Sequence, residues 1–199
     1  MPPSETQTNL LVGIFVGGRS SRMGGVPKGT LRAPDGTPSL VERLVGLGRE
    51  GGARDVVLVG QQRVYEHLRV PMLADDPPGI GPLGGLLALL RHADRILCPR
   101  VLALACDLPY VTGPIVRRLI DHAPHAAALA PHYGGQWQTM CARYATRDVT
   151  QQAELLLARG EHSLQALFAA LGGAALPLPL ADGEQALLRD WDSPEDIDV

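Results

Sequence analysis

Between Gly17 and Lys28 the chain reads GGRSSRMGGVPK, which places two glycine pairs and three cations, Arg19, Arg22 and Lys28, within twelve residues. Glycine lets successive backbone N–H groups converge on an anion, and an arginine can grip two phosphate oxygens at once. The stretch reads as a polyphosphate cradle. It is not a Walker loop, because five residues separate Gly18 from Gly24 and no Gly-Lys-Ser/Thr follows, and it holds no GxGxxG fingerprint. Carboxylates of the kind that hold Mg²⁺ occur further on. Asp107 follows the apolar run VLALA and Cys106 and is the first choice for such a role, with a helix cap or turn before Pro109 as its other use. Asp75 and Asp76 either contact a ribose or base or serve the turn before a diproline. Asp190 and Asp192 flank Trp191 at strand spacing, so both can face one side, to complete a metal site or to cap the terminal helix. His122, His125 and His132 form no metal-ligand spacing. No nucleophile stands out, since Ser20 and Ser21 lack a paired His and acid. That suits a reaction in which the substrate supplies the nucleophile and the protein positions charge, as in phosphoryl or nucleotidyl transfer.

These groups need a scaffold that delivers loops to one edge. The apolar run Leu10 to Val16 predicts a strand buried on both faces. Pro38–Glu50 predicts a helix stopped by Gly51-Gly52. Further strands are expected at 55–59, 70–73 and 101–105, and helices at 83–92 and 115–122, with Thr112 as a cap. Ala74 to Pro82 is loop. Strands at 126–130 and 137–144, joined through HYGG, read as a hairpin-like pair adding an antiparallel edge. Helices at 150–158 and 163–171 and a strand at 174–180 complete the order, and Ser193-Pro194-Glu195 signals a helix start. The fold class is α/β with a mainly parallel sheet. In such sheets ligands bind outside the carboxyl ends of the strands, where the loops 17–28, 75–82 and 106–110 all fall.

The chain has 199 residues, 45% of them apolar and 20% charged, which suits one domain over 1–199 with a flexible lead at 1–9. A net charge of −3 argues against a nucleic-acid partner; the positive charge is local, in the first loop, and suits a small anion. Cys98, Cys106 and Cys141 are odd in number and widely spaced, so a reducing cytoplasm is expected. No apolar run approaches the roughly eighteen residues of a membrane span, and no membrane association is expected.

The stretch GGRSSRMGGVPKGTL resembles the signature GGxSxRMGxxK of the small nucleotidyltransferases. DDPPGIGPLGGL and ACDLPYV resemble two further motifs, and GPLGGL points to the molybdenum cofactor guanylyltransferase branch. GGQWQTMCARY, ARGEHSLQAL and WDSPEDI are similar to its later landmarks, so the resemblance runs from about Leu10 onward. It implies a Rossmann-like three-layer nucleotidyltransferase that uses GTP and Mg²⁺ and transfers GMP to the phosphate of molybdopterin, releasing pyrophosphate. By position, Phe15, Val16, Gly17 and Gly18 would line the nucleotide, Lys28 would hold its phosphates and Asp75 would contact it. Asp107 would bind Mg²⁺, with Asp190 or Asp192 as a second ligand, and Arg22 would stabilise the leaving pyrophosphate. Gln136 to Arg143 would belong to the pterin side. Passing contacts with proteins that make molybdopterin or receive the product are also implied. Three positions depart from the pattern. Val16 stands where the family usually has Ala, and would crowd the base. Val59-Gly60 replaces a common asparagine. Asp190 and Asp192 replace asparagines, which keeps cytidylyl transfer, or transfer to another small phosphate, as an alternative. A non-catalytic nucleotide-binding carrier is the alternative from another class.

Overall fold

A computed structural model of the chain describes residues 8–17 and 26–197. Gly18 and Arg22, with Arg19, Ser20, Ser21 and Gly24-Gly25, lie outside the described residues.

β1 (Thr8–Phe15) begins two residues before the expected Leu10, because Thr8 donates from both its N–H and its Oγ1 to the carbonyl of Gly52 at 2.8 and 2.9 Å. Thr8 and Asn9 thus belong to the sheet rather than to a flexible lead. The chain continues through α1 (Leu40–Glu50), capped by Ser39, then β2 (Ala53–Val59), β3 (Met72–Leu73), α2 (Pro82–Arg95), β4 (Arg100–Ala105) and α3 (Gly113–Asp121). β5 (Ala128–Ala130), β6 (His132–Tyr133), β7 (Gln136–Trp137) and β8 (Cys141–Ala145) follow. α4 (Thr146–Ala158), α5 (Leu164–Leu171) and β9 (Ala175–Pro177) come last, before a tail of short helical turns.

Seven strands form one sheet in the order β3-β2-β1-β4-β8-β5-β9, in which only β8 runs antiparallel to its neighbours. The antiparallel strand is therefore internal, and the parallel β9 forms the edge. The expected strand at 137–144 is also broken: Gln136–Trp137 leave the sheet to pair with β6 in a separate hairpin. Gln138 N–H then donates to Pro131 O and Cys141 N–H to Gln138 O, turning the chain back into β8.

Period-2 alternation assigns the faces. Leu10, Val12, Ile14 and Val16 pack with Val41, Leu44, Ile115 and Leu119 of α1 and α3. Leu11 and Phe15 pack on the other side with α2, α4 and α5, through Leu86, Leu89, Val149 and Phe168. Both faces of the sheet are covered, giving three layers, which is why the central strands read as unbroken apolar runs. The three cysteines are buried free thiols, and no helix among the described residues is long and apolar enough to cross a membrane.

Arg143 interrupts this apolar pattern. It is fully buried in β8, and its guanidinium donates to the carbonyls of Leu119, Ile120, His122 and Ala123 at the end of α3. A cation there satisfies acceptors that a helix C-terminus leaves open and complements its negative dipole end. Arg143 is a structural plug, not part of the pterin-side stretch in which the sequence reading placed it.

Candidate active site

The register brings three carboxyl ends together. Phe15 is level with Val59 on one side and Ala105 on the other, and Val59 is level with Leu73. The loops that leave β1, β3 and β4 therefore share one rim. Val16 continues the pattern by donating to Val59 O, while its own carbonyl accepts from Gln62 Nε2 at 2.6 Å. Gly60, at φ +109°, lies so close that a Cβ on it would come 2.8 Å from Gly17 N. Glycine is required where the sequence pattern suggested an asparagine, because the ends of β1 and β2 touch backbone to backbone.

An open cleft of about 690 Å³ lies along this rim, lined by Phe15, Val16, Gly17, Lys28, Asp75 and Asp107. All the described residues expected to meet a nucleotide are thus in one place. Val16 is 3% exposed and its side chain packs into the α1–α3 layer, so it offers the cleft a wall and does not crowd it. Phe15 turns the other way, against α2, where Gly84-Gly85 make room. A Cβ on Gly85 would come 2.8 Å from the Phe15 ring, and one on Gly84 would come 2.3 Å from Pro77 O.

The two adjacent aspartates divide their work. Asp76 holds the loop to α2, pairing with Arg91 at 2.7 Å and donating its N–H to Gly84 O at 3.1 Å. Asp75 faces the cleft, and burial raises its pKa above the usual carboxylate value.

Lys28 sits on a short helical turn, Lys28–Thr30, closed by Thr30 Oγ1 donating to Pro27 O at 2.8 Å. Its Nζ lies 3.1 Å from Asp107 and 2.6 Å from Asp192. Asp192 arrives with a strap from the C-terminal tail. Trp191, 3% exposed, packs with Ala33 and Leu40, and its N–H donates to Asp107 O at 3.0 Å. The terminal turn is capped by Ser193 and Asp196, so the aspartates flanking Trp191 are not needed as caps. One oxygen each of Asp107, Asp190 and Asp192 lies within 4.8 Å of the others. Asp107 with either of the other two offers a pair of hard oxygens that fits Mg²⁺, which takes one or two carboxylates and fills its shell with phosphate and water. Burial raises the pKa of Asp190, and the nearby charges of Asp192 and Asp107 add to the effect.

For Lys28, burial works against the ammonium, but the hydrogen bond to Asp192 and the charge of Asp107 outweigh it and raise its pKa above the ordinary 10.5. A base with a raised folded pKa adds stability that is complete below the unfolded value and lost as pH rises through the folded one. The melting temperature should therefore fall above about pH 10.5, and Lys28→Met should flatten that part of the curve. Identical alkaline slopes in the two proteins would show that these ion pairs add nothing to stability. Cys106, next to Asp107, is no nucleophile: burial, with the charge of Asp107, pushes its thiol to about 12.

A second cleft of about 700 Å³ opens on the far side of Asp107, lined by Tyr133, Gln136, Gln138, Thr139 and Arg189. The two clefts share Ala105, Asp107 and Met140. Of the 136–143 stretch, Gln136 to Cys141 reach this cleft, while Arg143 does not. Tyr133 and Arg189 are new to the site; the only sequence signal for Arg189 was its place beside Asp190. A hollow of about 770 Å³ between α2 and α4 contains none of Lys28, Asp107 and Asp192, and its Arg91 is paired with Asp76 and Glu154.

A covered, mostly parallel sheet with Gly17, Lys28 and a carboxylate cluster at its strand ends has the arrangement of a nucleotidyltransferase. Residues 12–175 match the MobA-like NTP transferase domain, and the chain belongs to that family. A relative from Mycobacterium tuberculosis, named a probable molybdenum cofactor guanylyltransferase, is 32% identical over 86% of this chain and 85% of its own. Two solved structures share the fold. Molybdopterin-guanine dinucleotide biosynthesis protein A from Archaeoglobus fulgidus superimposes with a TM-score of 0.73 at 19% identity, over 94% of this chain and 95% of that one. A nucleotidyl transferase from Methanothermobacter gives 0.72 at 19% identity, over 94% of both chains.

Proposed function

We propose that this nucleotidyltransferase acts in molybdenum cofactor biosynthesis, transferring GMP from GTP to the phosphate of molybdopterin. The observation that carries the reading is the meeting of two clefts at Asp107. One is lined by the strand-end residues expected to meet a nucleotide, and the other is large enough for a separate acceptor. The name of the mycobacterial relative supports GTP as the donor.

In the proposed reaction a phosphate oxygen of the acceptor attacks the α-phosphorus of GTP. The bond from that phosphorus to the β-phosphate oxygen breaks, and pyrophosphate leaves with the electron pair. No protein nucleophile is required. Lys28 neutralises phosphate charge from a position fixed by Asp107 and Asp192, and Arg22 has the same task from the glycine loop. The walls from Phe15 and Gly85 orient the nucleoside. Asp107, with Asp190 or Asp192, would hold Mg²⁺, which when bound supplies further positive charge on the triphosphate.

Removing the Lys28 charge should weaken GTP. A charge-assisted hydrogen bond is worth about 2 kcal/mol, so Lys28→Met should raise the GTP dissociation constant roughly 30-fold by calorimetry. Unchanged affinity would take Lys28 out of the phosphate site. The reading as a whole is tested by pyrophosphate release from purified protein with Mg²⁺, molybdopterin and either GTP or CTP. Release with GTP alone is expected. Release with CTP alone would move the chain to cytidylyl transfer, and nucleotide binding with neither release would favour a carrier.

A further inference from the structure

The second cleft carries two carboxylates, Asp107 and Asp190, and among the described residues lining it Arg189 is the one cation. Other arginines of the fold are matched by acids: Arg43 by Asp35 at 2.6 Å, Arg118 by Glu184 at 2.6 Å, and Arg91 by both Asp76 and Glu154. Arg189 feels the charge of Asp196 at longer range, but its direct contacts are with an aromatic ring. Its Nη2 donates to Tyr110 Oη at 3.4 Å, and its guanidinium carbon lies 5.3 Å from the centre of the Tyr110 ring. A tyrosine orients a cation without cancelling its charge. Tyr110 in turn stands edge-on to Trp191, with ring centres 6.1 Å apart, and its Oη accepts from Trp191 Nε1 at 3.3 Å. The guanidinium is therefore fixed to the same strap that brings Asp190 and Asp192 to Asp107.

We propose that Arg189 determines acceptor specificity by binding the phosphate monoester of the acceptor where the second cleft meets Asp107. This rests on the reading that the acceptor enters that cleft. The physical need is plain: an acceptor dianion has to approach a triphosphate past two carboxylates, and Coulomb repulsion opposes it. A planar guanidinium can engage two phosphate oxygens in its fork and leave the third free to attack. Arg189 thus selects molecules that carry a terminal phosphate.

The test is anaerobic equilibrium dialysis of the full chain, with Mg²⁺, against molybdopterin and against molybdopterin dephosphorylated by phosphatase. The wild type should prefer the phosphorylated form by about tenfold to a hundredfold, the range for a charge-assisted hydrogen bond. Arg189→Met should bind both forms alike. Arg189→Lys should recover part of the preference, since it restores the charge without the fork. Full preference in Arg189→Met overturns the assignment and leaves the acceptor cleft standing. A wild type that binds neither form overturns the acceptor reading and this assignment together.

Discussion

Asp107→Asn should lower the turnover of pyrophosphate release by about 10²–10³-fold, the usual cost of removing one preorganised electrostatic group from a reacting centre. The substitution keeps the shape of the side chain and removes its charge. Its effect on the fold should be small for three reasons. The side chain is 23% exposed, and Lys28 retains its shorter contact with Asp192 at 2.6 Å. The backbone carbonyl that accepts from Trp191 N–H is also untouched. The melting temperature should move by no more than about 2 °C. Steady-state kinetics beside a thermal scan would check both halves. Normal turnover would reduce Asp107 to a turn residue, and activity lost together with the fold would make it structural.

The opposite profile is expected of Arg143→Met. Methionine has a similar length and suits a buried strand position, but it donates nothing. The carbonyls of Leu119, Ile120, His122 and Ala123 lose the guanidinium that holds them, although Ile120 O keeps a 3.3 Å hydrogen bond from Arg100. Buried acceptors left without partners cost about 1–3 kcal/mol each, and local relaxation recovers part of that. A loss of about 3 kcal/mol is expected, enough to lower the melting temperature of a domain this size by roughly 10 °C. Urea unfolding would show it as a lower midpoint with an unchanged slope. Turnover per folded molecule should hold, because Arg143 is enclosed in the sheet and reaches neither cleft. A normal midpoint with weakened acceptor binding would return Arg143 to the acceptor site.

The contrast between these two residues shows what the sequence makes legible. Asp107 was readable because a charge just past the apolar run VLALAC must sit where a buried strand meets solvent. Asp190 and Asp192 were readable as a pair, though the reason differs. They share a side because Trp191 is pinned between them, and the segment forms no strand. Arg143 was misplaced because the resemblance assigns the whole stretch from Gln136 to Arg143 to one side, and the carbonyls that make its burial tolerable belong to a helix some 20 residues earlier. The internal place of β8 was hidden likewise, since local periodicity does not say which strands flank a given one. Lys28 gave its charge away but not its second partner, and Arg189 gave no sign of the tyrosine that orients it.

The link between Lys28 and Asp192 spans 164 positions of the chain. Synthesis runs from the amino end, so every strand through β9 leaves the ribosome before the strap does. At about 5–20 residues per second the acids are added roughly four to seventeen seconds after β4, the strand that leads to Asp107. Strands β1 to β4 can thus pair while Lys28 faces only Asp107, and a nascent chain with that part of the sheet formed still lacks two of the three carboxylates that cluster beside Lys28. Competence for chemistry trails the fold, in an order set by translation.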